Sequence, residues 1–325
     1  MKETISNANF PRDAEDRVYH ISVKHGDVAN RVLTVGDHVR ARRIAKLLDS
    51  EEECGHPIFE RTSQRGFLTI TGRYKGVPVT IMAIGMGAAM MDFFVRETRA
   101  SVDGTLALLR FGSCGSLSPQ APAGAVIIPG GGYCVRRNID YFADEPVNTE
   151  IKDKPYLISG VFKADEGMTT ILTETLEKAL EPLEAENNMI GPVVSGGLNV
   201  DGCSFYSSQG RQDPVFWDEN ENLVNEITTK YPKTYSMEME TSMLFHLAHC
   251  ARDPTKPIKA AGCMQVFADR VRNGFIRPEV VAILEPAVGR ACLEALTKVE
   301  IENEMPVEGS VWEPVSQRKS AGIFV

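Results

Sequence analysis

Apolar positions along the chain fall into short continuous runs separated by stretches of helical spacing. Thr105–Phe111, read TLALLRF, is nearly unbroken, the pattern of a strand buried on both faces of a mainly parallel sheet. Shorter runs predict strands at Arg31–Gly36, Ala125–Ile128, Pro192–Gly197, Thr234–Met237 and Ile258–Phe267. Gly66–Thr71 and Val77–Ile84 read as two more, joined by a turn at Tyr74-Lys75-Gly76. Helical spacing follows Asp37, a fair N-cap, through Ile44, Leu47 and Leu48. It recurs from Gly87 to about Ala100, over Thr169–Leu183, Asn220–Lys230 and Met239–Cys250, and in a closing helix Arg277–Val299 with Pro278 at its start. Gly130 to about Glu166 is of mixed composition and reads as a long excursion with one short strand near Tyr156–Val161; Gly202–Trp217 reads as a loop. Residues 1–17 form a loose N-terminal segment and 301–325 a polar tail. Strands and helices alternate without a break in composition. The expectation is a single α/β domain over 1–325, a central mixed, mostly parallel, twisted sheet flanked by helices.

Charge narrows the partners. A formal net charge of -9 argues against a nucleic-acid or membrane surface. Seven cysteines, odd in number and without a CxxC pair, read as reduced thiols rather than a disulfide framework. The first residues lack an apolar core of the secretory type, and no 18-residue apolar run occurs, so the expected address is the cytoplasm.

Several stretches could carry chemistry. The Thr105 strand ends in Arg110, then Gly112-Ser113-Cys114-Gly115-Ser116, read as a loop of small residues with free amides and hydroxyls. A guanidinium beside such a loop suits a phosphate, and the stretch equally fits a plain strand-end turn with Arg110 in water. Arg40 falls in the first turn of a helix, where a cation is unfavourable unless an anion shares that helix end; a solvated surface Arg is the other reading. Gly85-Met86-Gly87 sits between a strand and a helix, but Met90 occupies the third glycine position of a dinucleotide fingerprint, leaving a close turn at a strand end. Phe205, Gln209 and Arg211 share one loop, where ring, amide and guanidinium suit the face and edge of a heterocycle; taken alone they also fit a polar surface loop. Ser236-Met237-Glu238-Met239-Glu240 sets two carboxylates at a helix start, one more than the helix dipole explains, and one could accept adjacent sugar hydroxyls. His246 and His249, among apolar neighbours, read as packed histidines, since no third metal ligand presents itself.

Taken in order, VGDHVR at 35–40, GMGAAM at 85–90, LRFGSCGSL at 109–117, FYSSQGR at 205–211 and YSMEME at 235–240 make the chain similar to the nucleoside phosphorylase-I family, above all to its uridine-cleaving members. The resemblance runs from about Asp16 to Gly274, interrupted at 130–190, and implies the fold of that family. It implies phosphate on Gly36, Arg40, Arg110 and Ser113, with Arg65 donated by a neighbouring subunit. His20 resembles a residue reaching across the dimer to the ribose 5′-hydroxyl. Met239 and Glu240 resemble ribose binders, Glu240 taking the 2′- and 3′-hydroxyls. Phe205, Gln209 and Arg211 resemble the uracil-specific set, and Arg270 an Arg near the base on a lid-like segment. The implied reaction is reversible phosphorolysis of uridine to uracil and ribose 1-phosphate in pyrimidine salvage, with Arg211, Gln209, Arg110 and Glu240 as the catalytic set. Inorganic phosphate is co-substrate, and neither a metal nor an organic cofactor is required. A homodimer with shared sites, no nucleic acid and no membrane complete the implied partners.

Some positions depart from the pattern. Asp269 stands where uridine-cleaving members commonly carry Asn and purine-specific relatives have an Asp nearby, so a purine nucleoside phosphorylase is the alternative; Gln209 and Arg211 weigh against it. Ser113 replaces a frequent Thr and keeps the hydroxyl. Met90 and Gly66 replace residues that line a cation site in a bacterial relative. A nucleosidase of the same fold is a further rival, lacking the arginine cluster, and a catalytically silent nucleotide-binding module is a third.

Overall fold

The run at Thr105 is the axis on which the rest is hung. In a computed structural model describing residues 5–145, 147 and 150–318, Leu106–Ser116 is an 11-residue strand. It sends Ala107, Leu109 and Phe111 into the core on one face and Leu106 and Leu108 into the core on the other. A strand covered on both sides can be apolar at every position, which is why no alternation shows there.

Numbered along the chain, the strands are β1 Arg31–Val35, β2 Phe59–Thr62, β3 Leu68–Tyr74, β4 Val77–Ala83, β5 Leu106–Ser116, β6 Val126–Ile128 and β7 Gly131–Arg137. They continue as β8 Tyr156–Ile158, β9 Phe162–Lys163, β10 Val193–Ser195, β11 Leu198–Gly202, β12 Thr234–Glu238, β13 Ile258–Asp269 and β14 Gly274–Phe275. The helices are α1 His38–Ala45, α2 Glu51–Cys54, α3 Ala88–Ser101, α4 Glu166–Glu186, α5 Leu223–Lys230, α6 Thr241–Cys250 and α7 Pro278–Thr297.

All strands join one mixed sheet in the order β2-β3-β4-β1-β5-β12-β11-β7-β8, with β13 running along β5. β4, β1, β5 and β13 are mutually parallel in sequence, as are β12, β11 and β7. The two sets meet antiparallel at Ser116–Ser236 and Gly115–Met237. Helices α1, α4 and α7 cover one face, while α3 and α6 cover the other. The architecture is thus the expected single α/β domain, a mixed sheet flanked by helices.

Four expectations change. The small residues 112–116 are not a loop but the continuation of β5, paired residue by residue with β13 from Met264 onward. Successive N–H groups of a strand point to opposite sides, so β13 takes only alternate amides of this stretch, and on the other side β1 pairs with β5 no further than Arg110. The excursion after Gly130 contains β7, a largely buried strand between β11 and β8. Its glycines hid it: a Cβ on Gly132 would sit 2.3 Å from Ser242 Oγ, so α6 packs onto bare backbone there. The tail read as polar packs as far as residue 318, with Met305 and Trp312 buried against the α3/α6 core. Two apolar side chains among many charges anchor that stretch, and truncating a buried Trp typically costs ~3–5 kcal/mol. The N-terminal segment carries bridges Ser6–Arg12 and Arg12–Val18, and Arg17 is buried against Asp27. Residues 1–4 and 319–325 lie outside the described residues.

Candidate active site

A cavity of about 370 Å³ opens where β1, β4, β5, β12 and β13 end. Gly36, Arg40, Arg110, Ser113, Phe205, Gln209, Arg211, Met239 and Glu240 all line it, although they come from four separate stretches of sequence. A larger, more open hollow of about 790 Å³, bordered by Arg17, Glu60 and Val311, gathers none of the expected site residues.

Arg40 stands in the first turn of α1, whose N-cap Asp37 accepts its backbone N–H at 2.9 Å. The side chain is buried, lies 5.0 Å over the Phe111 ring, and has its Nε 3.4 Å from Glu285 of α7. Glu285 also takes Arg43 at 2.6 Å, so one carboxylate anchors two cations at that helix.

Arg110 projects from the middle of β5 and is 3 % exposed. It is paired with Glu240 and lies 3.5 Å from Glu238. Burial alone would lower its pKa, but Glu240 and Glu238 outweigh that and hold it raised, so it is a permanent cation. Its Nη1 is buried with no hydrogen-bond partner, a donor free for an anion in the cavity.

Glu240 is the N-cap position of α6. Its second oxygen accepts the amide of Gly87, whose φ of +99° is reserved for glycine. The Gly85-Met86-Gly87 turn therefore serves as a carboxylate clasp, not a dinucleotide loop. Burial, opposed by Arg110 and assisted by the neighbouring Glu238, pushes Glu240 up to about 7.

The 205–211 loop is held from several sides. Arg211 lies 3.8 Å over the Phe205 ring, and its Nη1 donates to Phe205 O at 2.7 Å and to Gln209 Oε1. Burial and the nearby Arg270 lower the Arg211 pKa to about 10. Gln209 is buried, with its Nε2 3.4 Å from Glu238 O. Gly202 makes this possible, since a Cβ there would meet Gln209 Cγ at 2.8 Å. Asn220 donates to Ser207 O and Arg211 O, both at 2.9 Å.

Three expected residues do not line the cavity. Arg270, expected at the base, instead braces the loop from behind, donating to the carbonyls of Gln209 and Gly210 and touching Met237 Sδ at 3.2 Å. His20 stacks on Phe93 at 3.8 Å with Nδ1 2.6 Å from Glu97. Arg65 donates to the Tyr19 hydroxyl at 2.9 Å. Since Tyr19 packs edge-on against His20 at 4.9 Å, His20 and Arg65 form one patch. His246 and His249 pack near Phe162, at 4.7 and 5.8 Å.

The structure adds residues that the linear reading passed over. Phe267 and the exposed Phe275 line the cavity from the β13–β14 hairpin. Asn199 and Asp201 lie on β11, a strand read through as connection; Asn199 donates to Glu238, and Asp201 accepts the amides of Ser242 and Met243 at the start of α6. The alternation Leu198, Asn199, Val200, Asp201 was the signal for it. Asp269 does not enter the cavity: it accepts the amides of Val271 and Arg272 at 3.0 and 2.9 Å and Arg272 Nη1 at 2.8 Å. Burial works against its charge, but those hydrogen bonds leave its pKa below the usual value. Among the described residues, no group of three or more His, Cys, Asp or Glu is placed to hold a metal ion.

Residues 30–273 match the family model of the phosphorylase superfamily. A uridine phosphorylase of Thermococcus kodakarensis is 30% identical over 279 residues, which cover 85% of this chain and 86% of that protein. A DeoD-type purine nucleoside phosphorylase of Caldanaerobacter subterraneus is 37% identical over 109 residues, only 34% of this chain and 44% of its own length. A solved structure from a study of two uridine phosphorylases in the oomycete Phytophthora capsici is 37% identical with a TM-score of 0.84, covering 91% of this chain and 100% of that one.

Proposed function

The chain belongs to the phosphorylase superfamily and is a pentosyltransferase of the nucleoside phosphorylase kind, and we propose that its nucleoside is uridine. One observation carries the reading: a single cavity gathers Arg40, Arg110 and Ser113 together with Phe205, Gln209 and Arg211, and with Met239 and Glu240. Side chains suited to an anion, a base and a sugar share one cavity.

In this reading phosphate occupies the Arg40, Arg110 and Ser113 side beside Gly36, and the ribose rests on Met239 with its 2′- and 3′-hydroxyls toward Glu240. Uracil stacks on Phe205. A phosphate oxygen attacks the anomeric carbon, the glycosidic bond breaks, and its electron pair leaves on the base. The sugar passes through an oxocarbenium-like state, as in glycoside hydrolysis, and the phosphate charge beneath stabilises it. Gln209 Nε2 and Arg211 donate to the carbonyl edge of the departing uracil, electrostatic stabilisation where charge develops. Phosphate and ribose are linked through Arg110, which faces both the anion and Glu240.

A pyrimidine preference is supported by the state of Asp269, which is ionised and committed to its own turn and so has no proton for a purine ring. The His20 and Arg65 patch supports a homodimer in which each subunit completes the other's site. Free thiols at all seven cysteines fit a reducing compartment, and we place the protein in the cytoplasm. No helix of the described residues is long and apolar enough to cross a membrane.

Turnover of uridine, deoxyuridine, thymidine and inosine, each with and without phosphate, tests the reading. Phosphate-dependent release of uracil is the expected result. Cleavage of inosine alone would make the enzyme purine-specific, and full-rate cleavage without phosphate would make it a nucleosidase.

A further inference from the structure

Three carboxyl groups converge on one guanidinium. Asp201, Glu238 and Glu240 are 3 %, 5 % and 3 % exposed, and Arg110 is the cation in contact with the two glutamates. Fully ionised, this group would hold an excess of two negative charges away from water, an arrangement that buried sites do not sustain.

Hydrogen bonding shows how the excess is handled. Asn199 Nδ2 donates at once to Asp201 Oδ1 at 2.8 Å and to Glu238 Oε1 at 2.6 Å, so the two carboxyl groups lie side by side. The amide is oriented by Ser236 Oγ, 2.8 Å from its oxygen. The same two carboxyl groups cap α6 between them. Glu238 accepts the amides of Glu240 and Thr241 at 3.1 and 2.9 Å; Asp201 accepts those of Ser242 and Met243 at 3.0 and 2.8 Å. The N-cap residue Glu240 contributes no side-chain cap of its own, which leaves its carboxylate free to face Arg110 and the cavity. Four consecutive amides of the turn that carries Met239 and Glu240 thus hang on two residues from two different strands.

We propose that Asp201 is a positioning residue for the proposed ribose site: it shares a single proton with Glu238, caps α6 as a neutral acid, and so holds Glu240 in place while relieving the charge excess around Arg110. The inference rests on the nucleoside phosphorylase reading only for the role of Glu240; the shared proton stands on the geometry of the buried pair. Glu238, close to Arg110, is the member that keeps the negative charge. Asp201 has no cation of its own in contact, and burial together with the adjacent Glu238 raises its pKa well above the usual carboxylate value. The remaining titratable groups facing the pair are Glu240 on the same turn, Cys114 of β5 and Cys134 of β7. Burial pushes both thiols up, Cys134 to about 12, so neither supplies charge near neutrality.

Infrared spectroscopy of the full-length protein carrying aspartate labelled with ¹³C at the side-chain carboxyl decides the protonation state. A protonated carboxylic acid C=O stretch that moves with the label is expected at pH 7 and at pH 8, and is lost in Asp201→Asn. Absence of that band in the wild-type protein, or its persistence in Asp201→Asn, overturns the proposal. This readout needs no substrate, so cleavage of inosine in place of uridine would sink the uridine reading and leave the band untouched. Kinetics then separate positioning from mere packing. Asp201→Ala, which orphans two buried amides, lowers kcat/KM for the nucleoside about ten- to hundredfold. Asp201→Asn, neutral and of nearly the same shape, keeps an acceptor for one of the two amides, recovers part of that loss and keeps the acid limb of the pH profile of KM for the nucleoside where it was. A displaced limb in Asp201→Asn would mean that Asp201 is normally charged, and the proposal falls.

Discussion

At the residue scale the site depends on what each buried charge faces. Arg211 is held against Phe205 and Gln209 and has lost part of its hydration, which makes it a stronger donor to an acceptor in the cavity than an arginine in water. Arg211→Ala is expected to lower kcat on uridine by about 10²–10³, the loss seen when one preorganised donor to developing charge is removed. Circular dichroism should show the fold intact; unchanged turnover would remove the residue from the mechanism. Glu240 carries a different signature. Its folded pKa of about 7 lies above the ordinary value of 4.5, so the native state binds the extra proton. Its contribution to stability is complete below pH 4.5 and is lost as the pH rises through about 7. Ligand-free protein should therefore melt lower at pH 8 than at pH 6 on this account, and Glu240→Gln should reduce that difference. The same variant should weaken ribosides more than 2′-deoxyribosides, since only ribosides bring both hydroxyls to the carboxylate. Equal losses on both would contradict the assignment.

At the element scale, loops are made rigid by groups behind them. The cavity-lining loop 205–211 has a 3₁₀ turn at Ser207–Gln209, and its Gln209 and Gly210 carbonyls are taken by Arg270 from the end of β13. Arg270 thus ties that loop to the strand that also pairs with β5. Arg270→Ala removes charge-assisted hydrogen bonds each worth about 1.5–3 kcal/mol. The expectation is a fall in kcat/KM for uridine of tenfold or more, with lower protection of the loop amides in hydrogen exchange. A variant with full activity and an unchanged exchange pattern would reduce Arg270 to a surface contact. The α6 start obeys the same logic, since its amides are capped from β11 and β12 and not from within the helix.

At the scale of the whole molecule, the sheet brings six chain segments to one cavity, while His20 and Arg65 stay together on a patch outside its lining. Such a division makes sense when two subunits complete each other. Mixing an inactive Arg65→Ala protein with an inactive Arg211→Ala protein, under conditions of subunit exchange, should restore phosphorolysis, because in the proposed homodimer each hybrid would contain one intact site. No recovery on mixing would put Arg65 and Arg211 to work in the same subunit.

Much of this was legible in the sequence by itself. Unbroken apolar runs such as Thr105–Phe111 specify strands covered on both faces, because only a doubly buried strand tolerates them. Asp37 before an apolar-periodic stretch specified the start of α1, and short motifs kept in order specified the family and nine residues of the cavity lining. Local chemistry suffices where a residue's own neighbours determine its conformation. What only the tertiary structure decided were matters of long-range pairing. Gly112–Ser116 became strand because β13 runs beside it, and Gly131–Arg137 became strand because glycines let α6 approach. Trp312 found a core that no adjacent residue announces. Asn199 and Asp201 acquired their role through contacts with residues some forty positions away. Buried charge is the extreme case: whether a carboxyl holds its proton depends on the water and counter-charges that folding removes or supplies.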